Sequence, residues 1–129
     1  MTELIIANNI EEIEREFDFT DSIIIDVKWI NNLTDLLIGI DYYWDIQDAK
    51  SQTRELALIF KDCLKADFCI NNNLLLMPKE EINFDSWNTI VLFKRVPNNQ
   101  GLHQININTF DYSIPWAKIF CKEVILEQR

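Results

Sequence analysis

The pattern of apolar and polar positions begins with a helical period. Within residues 9–17, Ile10, Ile13 and Phe17 fall on one face of a helix. Asn9 precedes this run, and Glu12 follows Asn9 by three residues, which is the spacing of an N-terminal capping box. The pattern therefore predicts one short amphipathic helix over residues 9–17.

From Ser22 onward the period changes to two, and β-branched and aromatic residues dominate, as is typical of pleated, half-buried strands. The predicted strands cover residues 22–30, 36–45, 54–63 with a kinked continuation to 70, 74–77, 87–96, 102–110 and 116–127. Turn residues separate these runs, and no helix lies between them. Six to eight short strands of this kind predict a mainly β fold, either an antiparallel β-sandwich or a partly closed barrel. We expect a single domain over residues 1–129, with its β part over residues 22–127.

Charge is distributed unevenly along this chain of 129 residues. The 21 Asp and Glu exceed the 12 Lys and Arg and give a net charge of −9. Residues 1–62 hold 14 of the acids and 5 of the bases, whereas residues 63–129 are neutral. This balance disfavours nucleic-acid partners, whose phosphates require Lys and Arg. With only two glycines, the chain also lacks the motifs that bind nucleotide phosphates.

The acidic first half suggests a surface for a basic protein partner. If the helix and the first hairpin are neighbours, as consecutive elements usually are, their carboxylates form one negative face. Such a face accelerates encounter with a basic partner, and a tyrosine can anchor the interface. The predicted partner-binding residues are Asp41, Tyr43, Asp45, Asp48, Glu12 and Glu16. The alternative interpretation is that these acids only keep the protein soluble.

The cysteines, the histidine and the acidic residues predict no catalytic, cofactor or metal site. The N-terminal run is too short and lacks the basic residues of a signal peptide, so no membrane location is expected. An odd number of cysteines in apolar surroundings suits reduced thiols in the cytoplasm. His103 has no nucleophilic partner nearby in sequence. Two alternatives remain open: a sandwich that binds a small ligand or carbohydrate beside Trp44 or Trp87, and an enzyme of unknown type.

One segment resembles a known group of proteins. The run Phe19-Thr20-Asp21-Ser22 is similar to the F-H-D-S opening of a diffuse group of small bacterial β-rich proteins, some of which resemble immunity proteins of polymorphic-toxin systems. Thr20 stands where that group has His. The later runs at residues 36–41 and 58–60 are also similar. The resemblance implies a cytoplasmic protein that binds and blocks a toxin. It would place a polar role on Asp21 and Ser22, for which the alternative is a turn before the first strand.

Overall fold

The computed structural model describes residues 4–43, 54–69, 88–97, 101–109 and 113–129. The elements are β1 (Leu4–Ala7), α1 (Ile10–Glu16), β2 (Ile23–Ile30), β3 (Asp35–Tyr42), β4 (Arg54–Lys61), β5 (Lys65–Phe68), β6 (Ile90–Val96), β7 (His103–Thr109), β8 (Ala117–Cys121) and β9 (Glu123–Gln128). The strands form a five-stranded sheet in the order β1-β9-β4-β3-β2 and a four-stranded sheet in the order β5-β8-β7-β6. All described strand pairs are antiparallel. The predicted mainly β sandwich with one short helix is confirmed.

The core lies between the two sheets and follows the predicted alternation. On β3, the face carrying Leu36, Ile38, Ile40 and Tyr42 is buried and belongs to the main cluster. Ile105 of β7 and other buried side chains of the four-stranded sheet belong to the same cluster. A smaller cluster covers the outer face of the five-stranded sheet and is formed by Leu37, Ala57 and Ile59. Central strands of this sheet are therefore apolar on both faces.

The predicted strand over residues 116–127 is wrong as a single element. β8 and β9 are separated at Lys122 and lie in different sheets. The buried side chains change parity there: Ile119 and Cys121 are buried before the break, and Val124 and Leu126 after it. The chain therefore turns a corner between the sheets while each half keeps its apolar side toward the core.

Two further differences raise the number of described strands to nine, above the six to eight expected. The predicted run over residues 54–70 divides into β4 and β5, because Asp62 adopts a positive φ of 48° and directs the chain into the other sheet. β1 was not predicted, since a strand of four residues carries little alternation; it pairs with β9 at the sheet edge. The predicted strand at 74–77 lies outside the described residues.

The helix is confirmed, with bounds one residue shorter at each end than predicted. The Asn9 side chain accepts a hydrogen bond from the Glu12 amide at 2.8 Å, and Glu12 Oε2 accepts one from the Asn8 amide at 3.3 Å. Two apolar residues, Ile10 and Ile13, are fully buried. α1 packs against β9 and β1 on the core side of the sheet. In the described parts of the chain, no helix is long and apolar enough to cross a membrane.

Candidate partner-binding site

A cleft opens where the end of α1 and the chain after it meet β6. Its volume is about 360 Å³, which falls within the size range typical of binding sites. We call it the aromatic cleft; its lining residues are Ile13, Glu14, Phe17, Asp18, Phe19, Thr20 and Phe93. Ile13 and Glu14 lie on α1, and Phe17 to Thr20 follow it directly. Phe93 lies on β6 of the four-stranded sheet.

Aromatic rings form the floor of the aromatic cleft. The rings of Phe19 and Phe93 meet edge to face with their centroids 5.0 Å apart. Phe17 lies nearly parallel to Phe19, with centroids 6.3 Å apart. Tyr42 of β3 packs edge to face on both Phe17 and Phe19, at 5.7 Å and 6.0 Å. Edge-to-face contacts of this kind stabilise ring positions beyond simple burial, so the floor is preorganised.

The carboxylates at the aromatic cleft are partly fixed in place. Asp18 is exposed, and its Oδ1 accepts a hydrogen bond from the Thr20 amide at 2.9 Å. Its own amide donates to the Tyr42 hydroxyl at 3.3 Å, which attaches the segment to β3. Glu14 Oε1 lies 3.0 Å from Arg95 Nη2. Each of these contacts positions an acid without removing it from solvent.

Arg95 connects β6 to two acids of α1. Its Nη1 donates to Glu11 at 3.0 Å while Nη2 pairs with Glu14. Hydrogen bonding to the Glu11 backbone and then to Arg95 lowers the pKa of the Glu11 carboxyl, so this acid is ionised at neutral pH. Arg95 therefore neutralises only part of the acidic helix, and it shows that a guanidinium pairs readily with this surface.

The structure places four of the six predicted partner-binding residues. Glu12 lies in the first turn of α1, where it helps to cap the helix, and Glu16 pairs with Arg15 at 3.2 Å on the exposed last turn. Asp41 is partly exposed on β3, opposite Glu55 of β4. The Asp41 side chain projects from the outer face of the five-stranded sheet, whereas α1 packs on the core side of that sheet. The helical acids and Asp41 therefore do not share one face of the sheet.

Tyr43 follows β3 and is partly exposed, and its amide donates to Ser22 Oγ at 3.0 Å. Asp45 and Asp48 lie outside the described residues. The aromatic contacts of Tyr42 nevertheless bring the end of β3 next to the end of α1. The acidic helix and the first hairpin thus meet at the aromatic cleft rather than along a common sheet face.

The Asp21–Ser22 pair forms the turn that precedes β2. Asp21 adopts a positive φ of 72°, and the Ser22 amide donates to the Phe19 carbonyl at 3.0 Å. Ser22 is fully buried, and its hydroxyl accepts the bond from Tyr43. The Ile90 amide donates to the Ser22 carbonyl at 2.8 Å, which joins the start of β2 to the start of β6. These contacts give the pair a local structural role beside the cleft.

Sequence reasoning missed the residues that build the cleft: Glu14, Asp18, Phe19 and Phe93. A local signal existed for part of the set, because Phe17-Asp18-Phe19 alternates aromatic and acidic residues directly after the helix. Nothing local indicated Phe93, which reaches the site only through the pairing of β6 with β7 and the packing of the sheets.

Of the other residues considered for chemistry, His103 does not line the aromatic cleft. His103 Nε2 is 3.9 Å from Glu123 Oε1 at the start of β7. Within the described ranges, no three His, Cys, Asp or Glu side chains are grouped as metal ligands. Trp44 and Trp87, on which a carbohydrate site was predicted to depend, lie outside the described residues.

Comparison with known proteins gives no match: no protein-family model fits the sequence, and no curated protein and no solved structure shows significant similarity to it. Function must therefore be inferred from the aromatic cleft and its surroundings.

Proposed function

We propose that this chain is a non-catalytic, cytoplasmic interaction protein, an immunity-type inhibitor that binds a basic toxin domain and blocks it by occupying its surface. The observation that carries the proposal is the run of acids in the segment that contributes most of the cleft lining, in which Glu14 and Asp18 line the cleft directly. Six carboxylates lie between Glu11 and Asp21, all at least partly exposed, against the single base Arg15 within the same segment. A negative surface with an aromatic floor complements a basic protein in both charge and apolar contact.

The proposed interface is centred on the end of α1 rather than on the face of the first hairpin. Glu16 is exposed on the last turn of α1, directly before the segment that lines the cleft. Tyr43 follows Tyr42, which packs against Phe17 and Phe19 of the cleft, whereas Asp41 projects from the outer face of the sheet and lies outside this surface. Blocking by occlusion requires no reacting group in the inhibitor.

The test is binding to the product of a neighbouring toxin gene, measured by calorimetry with the purified proteins. Binding should be tight in about 0.05 M salt and weaken toward about 0.5 M, because salt screens exposed charges. Glu16→Lys and Asp18→Lys should each weaken it, and Asp67→Lys, on the far edge strand β5, should not. Each variant must retain the circular dichroism spectrum of the parent. Absence of binding in low salt, or equal loss with Asp67→Lys, would contradict the proposal.

A further inference from the structure

We infer that the aromatic cleft binds the cationic side chain of an arginine or lysine. The inference deepens the proposed function, on which it rests, by naming the group of the basic partner that enters the surface. The cleft combines the apolar residues Ile13, Phe17, Phe19 and Phe93 with the acids Glu14 and Asp18. Its volume of about 360 Å³ accommodates one long side chain with room for water.

The floor suits the apolar and cationic parts of such a side chain. Phe17 and Phe93 are partly exposed, so their rings are accessible from the cleft, and Phe19 is buried beneath them. The methylene groups of arginine and lysine pack on apolar surface, while their charged ends are attracted to the negative faces of aromatic rings. A neutral side chain of the same length would gain the apolar packing but not the attraction between a cation and the ring faces.

The rim provides the charge that a cation requires. Glu14 and Asp18 both line the cleft, and Glu11 lies next to Glu14 through their shared contact with Arg95. Arg95 pairs with Glu11 and Glu14 but not with Asp18, so the balance of these three carboxylates and one guanidinium remains negative. The Thr20 amide holds only Oδ1 of Asp18. The other carboxylate oxygen can therefore pair with an incoming cation in the geometry that carboxylates and guanidinium groups prefer.

Within the chain itself, Arg95 provides an example of a guanidinium group bound by acids of α1. Its guanidinium spans Glu11 and Glu14 at 3.0 Å on the core side of β6, two residues beyond Phe93. Residues two apart on a strand project to the same side, so a guanidinium already lies on the same side of β6 as the Phe93 ring. A second cation beside the exposed Asp18 would repeat this arrangement within the cleft.

The experiment uses free probes and the intact chain, so it does not depend on a toxin. N-acetyl-argininamide and N-acetyl-lysinamide are titrated while the aromatic and backbone NMR signals of Phe17, Phe19 and Phe93 are followed. The citrulline and norleucine analogues are the neutral controls. We expect millimolar binding of the two cationic probes with shifts concentrated at the cleft, and at least about threefold weaker binding of the neutral analogues.

Two variants separate the contributions of charge and ring. Asp18→Asn keeps an oxygen for the Thr20 amide and removes the charge, and Phe93→Leu keeps apolar volume and removes the ring. Each should weaken the cationic probes about threefold or more while leaving the neutral ones unchanged. Asp67→Asn makes the same charge change as Asp18→Asn on the opposite edge of the four-stranded sheet, and it should have no effect.

Equal binding of arginine and citrulline analogues would overturn the inference, as would shifts that map away from the cleft. If the chain does not bind a toxin, the cationic probes can still bind the cleft, because their titration requires no toxin. Failure of the proposed function and failure of the cation site can therefore be distinguished.

Discussion

Replacement of Asp35 by Asn should destabilise the fold more than the same change at its exposed neighbour Asp62. Asp35 begins β3 and is 2% exposed. Its carboxylate accepts hydrogen bonds from Asn31 Nδ2 at 2.6 Å, the Asp62 amide at 2.9 Å and Thr34 Oγ1 at 3.3 Å, and it pairs with Lys61 Nζ at 3.0 Å. This network connects the β2–β3 turn to the end of β4.

The magnitude follows from those contacts. Removing one partner of a buried ion pair costs about 3–5 kcal/mol. Lys61 is 42% exposed and can be rehydrated, and Asn keeps one acceptor oxygen, so we expect the lower end, about 3 kcal/mol. That is a large fraction of the roughly 5–15 kcal/mol that stabilises a domain, and it corresponds to a fall in Tm of about 10 °C.

The pH dependence gives a second check. Burial acts to raise the pKa of Asp35, but hydrogen bonds from Asn31 and the Asp62 amide, together with Lys61, outweigh it and lower the pKa below its usual value. The unfolded value is about 3.9. The stabilisation is therefore fully present above that pH and is lost as the pH falls through the folded pKa. The difference between parent and Asp35→Asn should be constant near neutrality and shrink below about pH 4.

Equilibrium urea unfolding measures both quantities, and Asp62→Asn is the matched control. It makes the same charge change at an exposed neighbour, and asparagine tolerates the positive φ of 48° at that position. We expect it to cost less than about 0.5 kcal/mol. If Asp35→Asn proved no more costly than Asp62→Asn at neutral pH, the network would not have the role argued here.

Three other substitutions or reactions give independent checks. Gly39→Ala should destabilise the fold by about 1 kcal/mol or more, because the added Cβ meets Asp26 Cβ at 3.1 Å on the paired strand β2 as well as the flexible end of Arg129; an unchanged midpoint in urea unfolding would contradict this. Asn9→Ala should cost about 1 kcal/mol through loss of the cap on α1, again by urea unfolding, and an unchanged midpoint would count against the cap. Burial, and to a smaller extent the neighbouring Cys63, raises the pKa of the Cys121 thiol to about 12. A disulfide reagent at pH 8 should therefore label the exposed Cys69 quickly and Cys121 only on unfolding. Rapid labelling of Cys121 in a folded Cys69→Ser variant would contradict the burial of this thiol.

Short-range patterns predicted the elements well. The helix was predictable because its cap joins residues three apart, and the core face of β3 was predictable because alternation relates residues two apart. The separation of β8 from β9 also left a local signal, since the buried positions change from odd to even numbers at Lys122. β1 was too short to give one. Strand order had no local signal at all.

The aromatic cleft could be predicted only in part. Phe17, Asp18 and Phe19 are consecutive, so their grouping needs no tertiary information. Phe93 joins them from another sheet, and Arg95 pairs with Glu11 across 84 residues of sequence. Neither contact follows from local pattern, because alternation fixes which face a side chain occupies but not which strands that face meets.

The sequence by itself determined a mainly β chain with one capped helix and an acidic first half, since propensity, alternation and charge are properties of neighbouring residues. The tertiary structure alone decided where that charge is concentrated. It placed Asp41 on the outer face of a sheet, brought Arg95 to Glu11 and Glu14, and placed Phe93 in the cleft that Glu14 and Asp18 also line. The reason is physical: electrostatic and aromatic contacts depend on distances through space, and in a two-sheet sandwich those distances are fixed by strand order and by the packing of the two sheets.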